Sequence, residues 1–246
     1  MRNFNKIARR FSDDMVRPEY KQCYKELMKS AEHLYKKGIE FRMDKWAWRS
    51  WEYCHLMQKI KRRDKIVMDF GGGNSLFSYH LAFLGHTVFM VDVDASSVDM
   101  FNKNIQKIKL SKKARGIRFN GIILPFHDGH FDLITFVSVI EHIPYHQRKG
   151  VFGELKRVLK PGKNLLMTFD YGKGGRPFGD SVTTLGGINR EIVKLSGLKL
   201  KGNPFDRVKF DKKFGPPVKF VIPDESGMDE KVVQLSSGAC CLLKEI

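Results

Sequence analysis

The chain has 246 residues, of which 42% are hydrophobic and 29% charged, as expected for one globular domain with an accessory segment. No apolar run approaches the roughly 18 residues of a membrane span, and the N-terminus lacks the apolar segment of a secretory signal, so a cytoplasmic protein is expected. The formal net charge of +17 favours a polyanionic partner, such as nucleic acid, an acidic membrane surface or an acidic small molecule, although solvated lysine-rich helices would give the same charge.

Residues 1–62 are predicted to form a helical cap. Apolar side chains recur at spacings of three and four in the segment that ends at Gly38, which is the pattern of an amphipathic helix. A second helix, at about residues 45–60, is unusually aromatic and contains Trp51 and Tyr53. An aromatic face of this kind either packs on the domain or encloses a substrate.

From residue 63 the pattern changes to short apolar strands that alternate with helical segments. The predicted strands lie at 65–70, 87–92, 116–120, 131–137 and 163–169, and the predicted helices near 75–84, 96–110, 147–159 and 188–196. Strands that alternate with helices predict an α/β domain with a mostly parallel sheet and helices on both faces. After Gly197 the alternation fades, before a last strand in "GACCLLKEI". We interpret about residues 172–235 as an insertion on the substrate side.

A glycine turn follows the first strand of this domain. The stretch "KIVMDFGGGNS" ends a buried strand in Gly71, Gly72 and Gly73, which let the chain turn sharply while a ligand approaches the bare backbone. The next strand, "TVFMVDVD", ends near Asp92, and an acid at that point accepts hydrogen bonds from a ribose diol. The dinucleotide fingerprint would need glycine at position 76, where this chain has Leu76, and no P-loop lysine follows the turn. The sequence therefore predicts a nucleoside-containing ligand.

Four segments in register give the sequence a family resemblance. In chain order they are "VMDFGGGNS", "VFMVDVD", "GIILPFHDGHFDLITFVSVIEHI" and "ELKRVLKPGKNLLMTF". The order resembles the class I S-adenosylmethionine-dependent methyltransferases, most closely the subfamily similar to ubiquinone and menaquinone biosynthesis methyltransferases, over about residues 64–170. The resemblance implies S-adenosylmethionine as cofactor and a Rossmann-like, seven-stranded, mostly parallel sheet with an antiparallel last strand.

The resemblance also implies a set of cofactor-binding positions. Asp69, Gly71 and Gly73 match the acid-x-G-x-G pattern that lies along the methionine and ribose, and Asp92 matches the acid that holds the ribose hydroxyls. Asp92 could instead be the N-cap of the following helix, and Asp94 competes with it for either role. Asn120 stands where the family often has an aspartate that contacts the adenine amine. The implied cofactor-binding set is Asp69, Gly71, Gly72, Gly73, Asp92, Val93, Asn120, Gly121 and Ser138.

A general base, if the reaction uses one, should follow the fourth or the fifth strand. His142 ranks first because imidazole has an unperturbed pKa of about 6.5. The other candidates are Glu141, which also follows the fourth strand, and Asp170 and Tyr171, which follow the fifth; of these, Tyr171 is retained as the second catalytic residue. The alternative is that His142 is a buried core residue. No metal site is expected, because the four cysteines show no ligand spacing, and Cys240 and Cys241 are interpreted as small buried apolar residues.

The acceptor is expected to be a small molecule that is methylated on oxygen or nitrogen, with anionic, glycan-related and secondary-metabolite acceptors as the candidate classes. Residues 1–63 hold 17 Lys/Arg against 8 Asp/Glu, and residues 101–120 hold seven against none. These stretches keep a nucleic-acid methyltransferase open as an alternative. A non-catalytic partner protein with the same fold is a second alternative.

Overall fold

A computed structural model describes residues 4–8, 11–41, 47–60, 65–172, 184–205, 218–223 and 230–245, and a mixed β-sheet forms its centre. The strands are β1 (Lys6–Ile7), β2 (Ile66–Phe70), β3 (Thr87–Asp92), β4 (Ala114–Arg118), β5 (Phe131–Val137), β6 (Leu159–Gly172), β7 (Lys199–Leu200), β8 (Val218–Pro223) and β9 (Glu230–Leu243). The helices are α1 (Phe11–Met15), α2 (Pro18–Lys36), α3 (Ala47–Met57), α4 (Leu76–Phe83), α5 (Ala95–Lys107), α6 (Tyr145–Val158) and α7 (Leu185–Ile188). A 3₁₀ turn at Ile140–His142 precedes α6, and a π-helical turn at Asn189–Lys194 continues α7.

The sheet has the order β1-β9-β6-β5-β2-β3-β4. Strands β2 to β6 pair in parallel, and β9 runs antiparallel to β6. The predicted Rossmann-like fold with an antiparallel last strand is confirmed. The strand count differs, because nine strands are described where seven were predicted. Strand β9 begins well before "GACCLLKEI", and its long outer edge pairs with β1, β7 and β8, which satisfies backbone groups that would otherwise lie unpaired.

Both faces of the sheet are covered, which explains why its strands read as continuous apolar runs. Along β2, Val67 faces one core and Met68 faces the other. Helix α6 packs on the Met68 face through Phe152 and Leu155, whereas helices α2 to α5 contribute to the core on the Val67 face.

The N-terminal helices are part of this core. Leu27 and Leu34 of α2 and Leu56 of α3 lie in the same apolar cluster as Phe77 of α4. The boundary predicted between residues 62 and 63 stays a prediction, and much of the predicted insertion at 172–235 lies outside the described residues. Among the described helices, none combines the length and the apolar character that a bilayer crossing needs.

Two packing interpretations from the sequence are confirmed. Trp51 is fully buried, where it stacks on His55 and donates from Nε1 to a carboxylate oxygen of Asp14 at 2.9 Å. Cys240 and Cys241 are buried in β9 as free thiols.

Candidate active site

A cavity of about 420 Å³ opens at the carboxyl ends of β2, β3 and β5. This is the edge at which parallel α/β sheets bind their ligands, and the volume is in the range of small-molecule sites. Nine of the eleven predicted site residues line it: Asp69, Gly71, Gly72, Gly73, Asp92, Val93, Gly121, Ser138 and His142. Asn120 and Tyr171 do not.

The glycine turn needs its glycines for two separate reasons. Gly71 and Gly73 have φ angles of +67° and +54°, in the left-handed region that side chains disfavour. A Cβ on Gly71 would also lie 2.4 Å from a methyl carbon of Val139, which is itself a cavity residue. The turn therefore presents bare backbone to the cavity.

Asp92 holds the glycine turn and keeps capacity for a ligand. Its Oδ2 accepts from the N–H of Gly73 at 2.8 Å, and its Oδ1 accepts from the N–H of Asp94 at 3.0 Å. A carboxylate offers about four acceptor positions, so each oxygen of this half-buried side chain can still accept a hydroxyl.

Asp94 is the N-cap of α5. Its carboxylate accepts from the backbone N–H groups of Ser96 and Ser97, and it also accepts from both of their hydroxyls. The hydroxyl of Ser97, followed by that of Ser96, holds the pKa of Asp94 below its usual range. The alternative that Asp92 serves as the N-cap is therefore wrong.

Asp69 supports the glycine turn from below. The side chain is buried and accepts from the hydroxyls of Ser78 and Thr135. Burial raises the pKa of Asp69 to about 6, although the two hydroxyl donors act in the opposite direction. A Cβ on Gly72 would lie 2.7 Å from an Asp69 carboxylate oxygen, so Asp69 and the turn are packed directly against each other.

Asn120 is turned away from its predicted contact. Strand β4 ends at Arg118, so Asn120 lies in the following loop, where its Oδ1 accepts from the N–H groups of Ile122 and Ile123. Both acceptor positions of this oxygen are thus used within the loop. The backbone at Gly121 lies against the cavity instead.

The two catalytic candidates have different surroundings. His142 is exposed, ends the 3₁₀ turn and lines the cavity, so the alternative of a buried core histidine is wrong. Tyr171 packs into the apolar core of the sheet and is not among the residues that line the cavity, so its catalytic role stays a prediction. Its position in the strand explains this placement, because successive side chains of a strand face opposite sides.

Helix α3 supplies two residues of the cavity: Tyr53 belongs to the aromatic face for which the sequence left substrate enclosure open, and Arg49 was not predicted at the site. Arg49 and Tyr53 line the cavity, and Tyr53 stacks on Phe77 with a centroid distance of 4.7 Å. Arg49 pairs with Glu52 at 2.8 Å, and the other oxygen of Glu52 accepts from the hydroxyl of Ser138 at 2.6 Å. The charged i, i+3 pair within an aromatic helix was the available signal.

Three carboxyl groups converge behind Ser138, and we call Glu52, Glu141 and Asp170 the acidic cluster. Glu52 is fully buried and Glu141 is 2% exposed. Burial, followed by the charges of Asp170 and Glu52, raises the pKa of Glu141 well above its usual range. Burial, followed by the charge of Glu52, raises the pKa of Asp170 to about 7, although Arg49 opposes that change.

Asp170→Asn is expected to change how stability depends on pH. Because the pKa of Asp170 rises from 3.8 to about 7 on folding, its contribution to stability is fully present below about pH 4 and is lost as pH rises through about 7. The variant lacks this loss, so its melting temperature should exceed that of the wild type increasingly between about pH 5 and 8, with a free-energy gain on the order of 1–4 kcal/mol at pH 8.

Asp132→Asn is the control of opposite sign for this melting series. Burial alone would raise the pKa of Asp132, but the Ile66 N–H and the Lys160 ammonium hold it below its usual range. Its loss should therefore destabilise the protein more at high pH than at low pH. If the difference in melting temperature between the wild type and Asp170→Asn does not vary with pH, the raised pKa of Asp170 is contradicted.

Within the part of the chain that the structure describes, no three His, Cys, Asp or Glu residues are arranged to hold a metal ion. The seven basic residues of 101–120 are all exposed, on α5, β4 and the loop between them. Strand β4 is the terminal strand of the sheet.

Comparison with known proteins gives matches over the central part of the chain. Residues 68–167 match the family described as "Methyltransferase domain". The ubiquinone biosynthesis O-methyltransferase of Coxiella burnetii is 29% identical over 116 residues, which are 46% of this chain and 47% of the relative. The chain spans less than half the length of the first curated relatives that it matches.

Solved structures share the fold over a longer part of the chain. The YcgJ protein of Bacillus subtilis superposes with a TM-score of 0.59 at 14% identity, covering 79% of this chain and 98% of that one. A SAM-dependent methyltransferase from Aquifex aeolicus superposes with a TM-score of 0.51 at 16% identity, covering 76% of this chain and 88% of that one. At these identities the likeness shows the fold.

Proposed function

We propose that the chain is a class I S-adenosylmethionine-dependent methyltransferase and that it transfers a methyl group from this cofactor to an oxygen or nitrogen of a small-molecule acceptor, supported by the family match over residues 68–167 and by the shared fold. One observation carries the proposal. The bare glycine turn and the Asp92 carboxylate meet at a single cavity, and Asp92 retains acceptor capacity beyond its two backbone hydrogen bonds.

The residues present fit this cofactor. Asp92 would accept from the ribose hydroxyls, the turn at Gly71 to Gly73 would lie along the methionine portion, and Gly121 would offer backbone to the adenine. The bound cofactor supplies an electrophilic methyl carbon for in-line displacement. The protein would align the acceptor and exclude water, and we propose that His142 takes the proton that the acceptor loses.

The charges of the cavity support a small acceptor rather than nucleic acid. Among the Lys and Arg residues that the structure describes, only Arg49 lines the cavity, and it is paired with Glu52. The seven basic residues of 101–120 lie on α5, on the terminal strand β4 and in the loop between them, and they do not line the cavity. A phosphate backbone would require basic side chains close to the reacting atoms.

Asp92→Ala is expected to weaken S-adenosylmethionine and S-adenosylhomocysteine by at least about tenfold, because hydrogen bonds to a charged carboxylate contribute about 1.5–3 kcal/mol each. Asp94→Ala should leave both affinities within about threefold and instead lower the melting temperature through the lost N-cap. Titration calorimetry gives the affinities, and thermal melting gives the stabilities.

Two results of these titrations would contradict the proposal at different levels. Equal losses in Asp92→Ala and Asp94→Ala would contradict the placement of the ribose. If the wild type shows neither heat nor a thermal shift with millimolar ligand, the methyltransferase function itself fails, since occupancy at about 100 times Kd should stabilise by about 2.7 kcal/mol.

A further inference from the structure

We propose that the acidic cluster of Glu52, Glu141 and Asp170 binds a positively charged nitrogen of the acceptor, so that the acceptor is an amine-bearing small molecule. The inference rests on the proposed function, because it assigns the acceptor of that same site. His142 remains the proposed base for the acceptor atom that is methylated. The acidic cluster would bind a second, cationic part of the same acceptor molecule.

The first support is an unsatisfied side chain. Glu141 is 2% exposed, and within the described ranges neither of its carboxylate oxygens has a hydrogen-bond partner in another residue; the backbone contribution to its pKa comes from its own N–H. Buried polar groups are almost always paired in folded proteins, and a buried carboxylate requires a proton or a cation. An ammonium group of a ligand would supply both the missing donors and the missing charge.

The second support is the local charge balance. Among the side chains that the structure describes, Arg49 forms an ion pair with Glu52, and the other oxygen of Glu52 accepts from the hydroxyl of Ser138. One guanidinium set against three carboxylates leaves a formal charge of −2 when all are ionised. This excess lies on Glu141 and Asp170, whose charges act on each other.

The third support is the position of the cluster beside the cavity. Ser138, Val139 and His142 line the cavity and flank Glu141 along the chain. Asp170 lies near the carboxyl end of β6, which pairs with β5, and the N–H of Ser138 donates to the carbonyl oxygen of Thr168 at 3.2 Å. None of the three carboxyl groups lines the cavity itself; they lie behind Ser138, which lines the cavity and donates to Glu52, whereas Asp92 and the glycine turn line it on the β2 and β3 side.

The overall charge of the protein alone would predict an anionic acceptor, which is the opposite of the acceptor that the acidic cluster predicts. A net charge of +17 would attract an anionic acceptor to the surface. Inside a partly closed site, however, nearby charges dominate because screening and distance weaken the remote ones. An anionic group placed against Glu141 and Asp170 would be repelled.

The test compares three probes with one skeleton: phenethylamine, 2-phenylethanol and phenylacetate. Each is titrated by calorimetry into the full chain saturated with S-adenosylhomocysteine. We expect phenethylamine to bind at least about tenfold more tightly than 2-phenylethanol, as one charge-assisted contact would give, and phenylacetate to bind most weakly. An alcohol or carboxylate that binds as tightly as the amine, or an amine that does not bind at millimolar concentration, overturns the proposal.

Isosteric variants then test whether the preference for the amine probe depends on the acidic cluster. Glu141→Gln and Asp170→Asn should each reduce the ratio of amine to alcohol affinity to below about threefold while the Kd of S-adenosylhomocysteine stays unchanged. Glu32→Gln is the control, because it removes one negative charge from an exposed i, i+4 pair on α2 and should leave the ratio as in the wild type. A ratio that survives in both cluster variants overturns the assignment. If a variant does not fold, the three probes on the wild type still decide.

Failure of this inference is distinguishable from failure of the proposed function. Binding of S-adenosylhomocysteine is measured before any probe is added. Its absence counts against the methyltransferase, whereas cofactor binding without an amine preference counts only against the acidic cluster as the acceptor site.

Discussion

His142→Ala is expected to lower turnover by about 10²–10⁴-fold while the Kd of S-adenosylmethionine stays nearly unchanged, as for loss of a general base. The expectation follows from position. His142 is exposed to the cavity and follows β5 by way of the 3₁₀ turn, so its imidazole lies beside the space left for the acceptor. Release of S-adenosylhomocysteine, measured with hydroxylated, amino and sugar-nucleotide acceptors, gives kcat and KM separately.

His146→Ala is the matched control for this substitution. His146 is also exposed, but it lies on α6 and does not line the cavity, so its removal should change turnover by less than about threefold. If His142→Ala also keeps turnover within threefold, alignment alone is the source of catalysis. If it instead lowers the melting temperature and cofactor affinity together, His142 is a packing residue.

The glycine turn and Asp92 could be predicted because local chain geometry determines them. A buried strand, a sharp turn and a helix follow one another in the sequence, and only glycine accepts the positive φ angles that this turn requires. Asp92 and Gly73 are bonded across only 19 positions. Patterns of this length are visible in a sequence.

Asn120 and Tyr171 lie outside the cavity lining because their placement depends on where a strand ends and on which face each side chain takes. Strand β4 was predicted to continue to residue 120 and instead ends at Arg118, which places Asn120 in a loop. Tyr171 and Asp170 are adjacent on β6, and the alternation of a strand sends one side chain to the core and the other to the acidic cluster. If the strand phase is shifted by one residue, each side chain is assigned to the opposite face of the sheet.

The acidic cluster was not visible in the sequence as a unit, although Glu141 and Asp170 were individually noted. Its members lie on α3, in the 3₁₀ turn and on β6, and the bond between Ser138 and Glu52 spans 86 positions. Periodicity and motif spacing report neighbours within one element, whereas this contact depends on how α3 packs against the sheet. The same holds for the additional strands on the edge of β9, since β1 has only two residues.

Gly71→Ala is expected to weaken S-adenosylmethionine by at least about 100-fold, or about 2.7 kcal/mol. The new Cβ would lie 2.4 Å from a methyl carbon of Val139, and the φ of +67° would disfavour alanine even in open space. Left-handed strain of about 1–2 kcal/mol and overpacking of about 1–3 kcal/mol both act against the native turn. Calorimetry and thermal melting should therefore report losses of affinity and of stability together.

A short series of variants separates the two causes of that loss. Gly73→Ala adds strain at a φ of +54° without a clash, since its Cβ would lie 3.9 Å from the nearest atom, a carboxylate oxygen of Asp92, and it should lose less affinity than Gly71→Ala. Adding Val139→Ala to Gly71→Ala removes the clashing methyl groups and should recover part of the loss, which a double-mutant cycle measures. Gly153→Ala, within α6 and with open space around it, should leave affinity unchanged and stabilise by about 0.5–1 kcal/mol. If Gly71→Ala binds the cofactor as tightly as Gly153→Ala does, the bare turn is not the cofactor cradle.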